Sequence, residues 1–248
     1  MDTTSFIIIL IVGMIGGFFN VFVGAGSLLT IPVLILLGLP PHTAIATNRL
    51  GVTGSDIAGW YEFHVKGMID YKAALILAVP ALIGAVIGAN LMLEINESAL
   101  KKTVALITFA ILIMITIMPE AGIAHSPKKI KGTRKFFAIL ASFIVGIYGG
   151  FYGAGAGTFL FYILILCFGE TFIESAGTHE LANLSFSVTA AVIFAYNGII
   201  DYIWTIPLFI GSFGGSYLSA YHAEKIKNIW LKRLFFVVVL ILVVKLLV

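Results

Sequence analysis

Gly67-Met68-Ile69-Asp70-Tyr71 returns 131 residues later as Gly198-Ile199-Ile200-Asp201-Tyr202, and the match extends well beyond the pentapeptide. Residues 25–90 lie on 156–221 without a gap, which puts Gly26 on Gly157, Gly38 on Gly169, Thr47 on Thr178, Leu50 on Leu181 and Gly84 on Gly215. A duplication inside an apolar chain is the sequence sign of a transporter built from two related halves, with its working site between them.

The 248 residues are 60% hydrophobic and 11% charged, with mean hydropathy +1.09. Soluble domains carry roughly a quarter charged residues, so the composition is that of a polytopic membrane protein. The net charge of +3 sits in short clusters at segment ends, where membrane topology places it, and implies no nucleic-acid partner. The single cysteine, Cys167, excludes an internal disulfide and a cysteine-built metal site.

Apolar segments occupy 6–23, 27–39, 44–63, 73–93 and 103–118, then 136–152, 158–168, 176–196, 204–221 and 234–248. The first reads as a retained helix and not a signal peptide, because no basic region precedes it. A spanning helix needs about 20 residues. Segments 27–39 and 158–168 are too short, are repeat mates, and each follows a glycine cluster, Gly24-Ala25-Gly26 and Gly153-Ala154-Gly155-Ala156-Gly157. Such pairs predict broken helices lining a cavity. Gly16, Gly17, Gly149 and Gly150, with the GxxxG pair Gly84 and Gly88, read as close helix packing. Asp70 and Asp201 read as helix N-caps.

The basic clusters at 128–135 and 225–233 belong on the cytoplasmic side. Ten crossings place both there, together with Lys66 and Lys72. Five crossings per half is odd, so the second half is inverted and both termini lie outside. The expected fold is therefore an all-α integral membrane protein of about ten transmembrane helices, as two inverted five-helix repeats with glycine-broken short helices. Its parts are an N-terminal repeat (1–118), a basic linker (119–135) and a C-terminal repeat (136–248).

Polar residues enter two otherwise apolar segments, at Thr47-Asn48-Arg49 and at Thr178-His179-Glu180. Arg49, Thr53 and Asp56 share one helix face, and so do His179, Asn183 and Ser187. A charge at membrane depth costs roughly 2.5–3.5 kcal/mol on insertion scales and is functional by default. The fork of donors on Arg49 suits a carboxylate, sulfonate or phosphate. The structural alternatives are that Arg49 snorkels to the interface or pairs with Asp56. Arg49 and Glu180 are repeat mates of opposite charge, which predicts that they face each other across the central cavity. The expected anion site comprises Asn48, Arg49 and Thr47, the breaks Gly24, Gly26, Gly155 and Gly157, and Thr178, Asn183 and Ser187. Glu180, His179 and Asp56 are the proton-coupling candidates. No metal site or cofactor is expected, since Walker, nucleophile-elbow and HExxH patterns are absent and the histidines lack ligand spacing.

These residues carry a resemblance. Gly24-Ala25-Gly26, then 38–50 from Gly38 to Leu50, then 67–71, with 153–157 and His179-Glu180-Leu181-Ala182-Asn183-Leu184 in the second half, resemble the TauE/SafE (sulfonate uptake permease) family over nearly the whole chain. The resemblance implies a secondary transporter of small anions, often sulfur-containing, such as sulfonates, sulfoacetate or sulfite, in export or import with proton coupling. Many relatives carry lysine at the position of Arg49, which keeps the positive charge, and the pair at His179–Glu180 is often less acidic. The expectation is a multi-pass protein of the cytoplasmic membrane moving small anions by alternating access. Its partners are the anion and the bilayer, and the packing motifs permit a homodimer without requiring one. An uncoupled anion channel and a non-transporting scaffold are the alternatives.

Overall fold

The computed structural model describes residues 1–100 and 132–223. The expected segments 103–118 and 234–248, most of the linker 119–135 and the basic loop 225–233 lie outside the described residues. Within them every regular element is helical: α1 (Thr3–Val23), α2 (Ser27–Leu36), α3 (Pro41–Val65), α4 (Tyr71–Glu94), α5 (Thr133–Phe151), α6 (Ala156–Ile163), α7 (Phe172–Tyr196) and α8 (Tyr202–Tyr221). A π-helical turn, Leu164–Phe168, prolongs α6. It begins just after Ile163, whose mate in α2 is the internal Pro32.

The ends follow local chemistry. Asp70 Oδ1 accepts from the backbone N–H groups of Lys72 (2.9 Å) and Ala73 (3.0 Å). Asp201 Oδ1 does the same for Ile203 (3.0 Å) and Trp204 (3.4 Å), so both caps are as the sequence predicts. Pro41 opens α3 at its first position, where no N–H is missed. Thr171 and Glu174 form a capping box on α7.

By length and composition α1, α4 and α5 can each cross a membrane. Helices α3 and α7, at 25 residues each, are long enough but more polar than a lipid-facing span. Their polar side chains point into protein: Asn48, Arg49, Asp56, His179 and Glu180 are all buried, whereas Leu75, Val79 and Ile83 of α4 and Ile203, Ile206 and Ile210 of α8 are exposed. Apolar outside and polar inside is the arrangement hydrocarbon selects.

Helix packing repeats across the duplication. Helix α1 lies along α8 and its counterpart α5 along α4; α3 packs on α8 and α7 on α4; α2 touches α1 and α3 while α6 touches α5 and α7; α3 and α7 meet in the middle. Small residues permit these contacts, since lipid offers no hydrophobic drive for helix association. A Cβ on Gly88 would stand 1.8 Å from the carbonyl oxygen of Ile147, and one on Gly215 1.9 Å from that of Met14. The GxxxG pair Gly84 and Gly88 is thus used inside the chain, against α5.

Candidate functional site

The two glycine breaks touch. Gly24 ends α1 in the left-handed conformation (φ 66°), and a Cβ there would lie 2.4 Å from the carbonyl carbon of Gly157 at the start of α6. Side chains other than hydrogen are excluded on both counts. The Thr158 hydroxyl donates to the carbonyl of Val23 and the Tyr148 hydroxyl to that of Ala154. Backbone released from helical pairing is therefore satisfied within protein.

Against this junction lies Arg49, from the third turn of α3. It is only 1% exposed, so it does not snorkel. Its guanidinium packs on Gly153 (φ 72°), where a Cβ would come within 2.5 Å of Cζ, and sits 5.9 Å from the centroid of the Phe186 ring. Its hydrogen bonds are long and go to neutral acceptors: Nη1 to Ser187 Oγ (3.5 Å), and Nη2 to Ser27 Oγ (3.4 Å) and to the Tyr152 carbonyl (3.3 Å). Nε donates to nothing. Charge-assisted bonds run near 2.7–2.9 Å, so these contacts hold the group in place without neutralising it.

Around Arg49 the polar groups are tied to one another. Asn48 Nδ2 donates to Ser27 Oγ (2.9 Å) and its Oδ1 accepts from Thr30 Oγ1. Asp56, two turns along the same face, is the carboxylate that acts on Arg49. Its Oδ1 accepts from Asn183 Nδ2 (2.7 Å) and Asn20 Nδ2 (3.3 Å), and its Oδ2 has no partner. Helices α1, α2, α3 and α7 and the end of α5 thus converge on one buried cluster.

The other predicted site residues are placed elsewhere. Thr47 Oγ1 accepts from the backbone N–H of Asp201 (3.0 Å), and Thr178 Oγ1 from that of Asp70 (3.2 Å). Each half's threonine clamps the other half's helix cap, and both pairs are related by the same 131-residue shift. Gly26 packs on Gly16 and Asn20, while Gly155 turns the chain into α6 with φ 80°. Glu180 does not face Arg49 as its mate position suggests. Its carboxylate lies against Gly59, where a Cβ would come within 2.4 Å of Oε1, and neither oxygen has a hydrogen bond. Asp56 is the charge nearby. His179 Nδ1 is bonded to the Ala176 carbonyl (2.8 Å), its Nε2 is unpartnered, and its ring is 4.3 Å from that of Phe161.

Asn20, Ser27, Tyr152 and Gly59 were not legible as site residues. Asn20 alone carried a signal, as a lone amide in an apolar segment. Among the described residues no three histidine, cysteine or carboxylate side chains gather as metal ligands.

The chain matches the family described as "Sulfite exporter TauE/SafE" over residues 9–246. It is 24% identical to "Probable membrane transporter protein YfcA" of Escherichia coli (strain K12) over 213 residues, covering 86% of this chain and 78% of that one. It is 26% identical to "Probable membrane transporter protein YdhB" of Bacillus subtilis (strain 168) over 234 residues, covering 93% and 94%. The chain belongs to the TauE/SafE family of membrane transporters.

Proposed function

We propose that this member of the TauE/SafE family is a secondary transporter of small anions, sulfur-containing ones first, and that Arg49 holds the anion's charged group. The observation that carries the proposal is the guanidinium itself: fully buried, with its Nε–H unpartnered and three long bonds to neutral oxygens. Burying a charge that is only partly compensated, here by Asp56 two turns away, costs several kcal/mol, and an anion arriving at this point offsets that cost. Asn48, Ser27, Asn183 and Ser187 stand ready to exchange their mutual hydrogen bonds for bonds to the anion's oxygens.

The proposed mechanism is alternating access between two inverted halves in the cytoplasmic membrane, with ten crossings. It is supported by the paired packing of equivalent helices and by the reciprocal threonine clamps, Thr47 to Asp201 and Thr178 to Asp70. Two such clamps, one for each face, are what a rocking transporter must make and break in turn. Glu180, His179 and Asp56 remain the proposed proton-coupling groups within the core. A homodimer is compatible with this scheme and not needed by it.

The test is uptake of radiolabelled sulfite, sulfoacetate, taurine and a simple dicarboxylate into proteoliposomes, with and without an imposed pH gradient. Saturable, gradient-stimulated uptake of a sulfur anion supports a coupled carrier. Gradient-independent leak of all four anions favours the channel, and absence of flux for any of them counts against the anion reading.

A further inference from the structure

One carboxylate outside the Arg49 cluster is in an equally exposed energetic position. Glu170 lies in the turn between the π-helical end of α6 and α7, only 6% exposed, and neither of its oxygens accepts a hydrogen bond. The hydroxyls of Thr178 and Ser175 bear on it without closing a bond, and Ser175 Oγ is itself buried and unpartnered. The charged groups that face it are acidic: Asp70 from the corner between α3 and α4, and Glu174 from the first turn of α7. Both of those are occupied, Asp70 in capping α4 and Glu174 in the capping box. The lysine at the head of the same corner, Lys66, is committed to the carbonyls of Ala220 (2.7 Å) and Tyr221 (2.8 Å) at the end of α8. Among the described residues no counter-charge faces this carboxylate, and burial without one favours its protonated form.

The site stands beside one of the two threonine clamps. Thr178, which bears on Glu170, is also the acceptor for the Asp70 N–H. The corner is seated closely there, since a Cβ on Gly177 would come within 3.0 Å of the Met68 carbonyl oxygen and the Phe63 side chain. At the other clamp, Thr47 to Asp201, the positions equivalent to Glu170 and Ser175 are Leu39 and Ala44. The duplication has therefore kept both clamps and set a buried glutamate beside one of them, where the other has a leucine.

We propose that Glu170, with Ser175 and Thr178, forms a proton-binding site that controls the clamp between Thr178 and Asp70 and leaves its counterpart untouched. With the proton bound, the acid group hydrogen-bonds the hydroxyls and the corner stays seated. Loss of the proton places a third negative charge beside Asp70 and Glu174 and loosens that corner alone. Burial pushes the Glu170 carboxyl up to about 7, inside the range where cytoplasmic pH acts on it. The site's link to transport rests on the carrier reading above; the site itself does not.

The experiment is thermal unfolding of the full-length protein in nanodiscs between about pH 5 and pH 8, without any anion substrate, for the wild type, Glu170→Gln and Glu170→Leu. The folded protein binds this proton more tightly than the unfolded chain, so stability from it is complete below the ordinary glutamate range and is lost as pH rises through about 7. The wild type is expected to lose a few degrees of Tm over that interval relative to both variants, whether the salt is sodium or potassium chloride. Leucine is the residue the other half carries, so Glu170→Leu gives the comparison if glutamine disturbs folding. Hydrogen exchange of the peptides holding the Asp70 and Asp201 amides, corrected for intrinsic rate, reads the clamps directly. Protection at Asp70 should fall at high pH in the wild type only, with Asp201 unchanged. The same pH slope in all three proteins, a sodium-specific stabilisation, or equal loss of protection at both amides would overturn the proposal. Failure of anion transport would affect none of these readouts.

Discussion

Arg49 is a cation held by backbone shape more than by countercharge. The side chain can enter only because Gly153 leaves room for its plane, and it stays only because Ser27, Ser187 and the Tyr152 carbonyl fix its direction. Two residue-scale predictions follow from this. Arg49→Gln removes a buried charge that makes no short ion pair and is offset only in part by Asp56 two turns away, so it should change the Tm of the anion-free protein little. The same variant should abolish the stabilisation that a bound anion gives the wild type, on the order of 2–3 kcal/mol at a hundredfold excess over Kd. A Tm titration with sulfite or sulfoacetate checks both. Gly153→Ala should be damaging on two counts, the left-handed backbone and the collision with Cζ. Gly67→Ala, with φ 66° but nothing within 4 Å of its Cβ, should carry the backbone cost alone, about 1–2 kcal/mol, and transport normally. Equal transport defects in the two variants would contradict the role given to Gly153.

Among the elements, the proposed alternating access assigns movement to the clamps and rigidity to the small-residue seams. Gly88 lies so close to α5 that Gly88→Leu should separate α4 from α5 and cost several kcal/mol, read as lost expression of folded protein. Thr47→Val and Thr178→Val should each cost about 1 kcal/mol, the net worth of one buried hydrogen bond. If each clamp closes one face, the two variants should shift the access equilibrium in opposite senses, measured as reactivity of a cysteine placed beside the site. Much at this level was readable beforehand. The glycine clusters announced the two breaks, the aspartates announced the caps, and the duplication announced which helices would be equivalent. The clamps were not readable, because a threonine's partner lies over a hundred residues away and nothing local marks it. The pairing of Arg49 with Glu180 failed for a related reason: mate positions share a helix register but not a neighbour, and Gly59 makes a socket for Glu180 on another side. Glu170 escaped notice because it is where the two halves differ, and a search for repetition passes over its exceptions.

For the whole molecule, the proposed inversion of the halves makes a prediction that does not depend on substrate. Val65 and Tyr196 are equivalent positions at the ends of α3 and α7, and both are exposed. In a background with Cys167 replaced by alanine, Val65→Cys and Tyr196→Cys should react with a membrane-impermeant thiol reagent from opposite sides of the membrane. Reaction from the same side would mean that the halves are parallel and that the two clamps share one face.

The measurement that bears most directly on the account is counterflow in proteoliposomes, comparing the wild type with Arg49→Gln after preloading with an unlabelled sulfur anion. The account predicts transient accumulation of the labelled anion by the wild type, as a carrier requires and a channel cannot give, and none by Arg49→Gln. Equal counterflow by both proteins would show that the buried guanidinium is not where the anion binds.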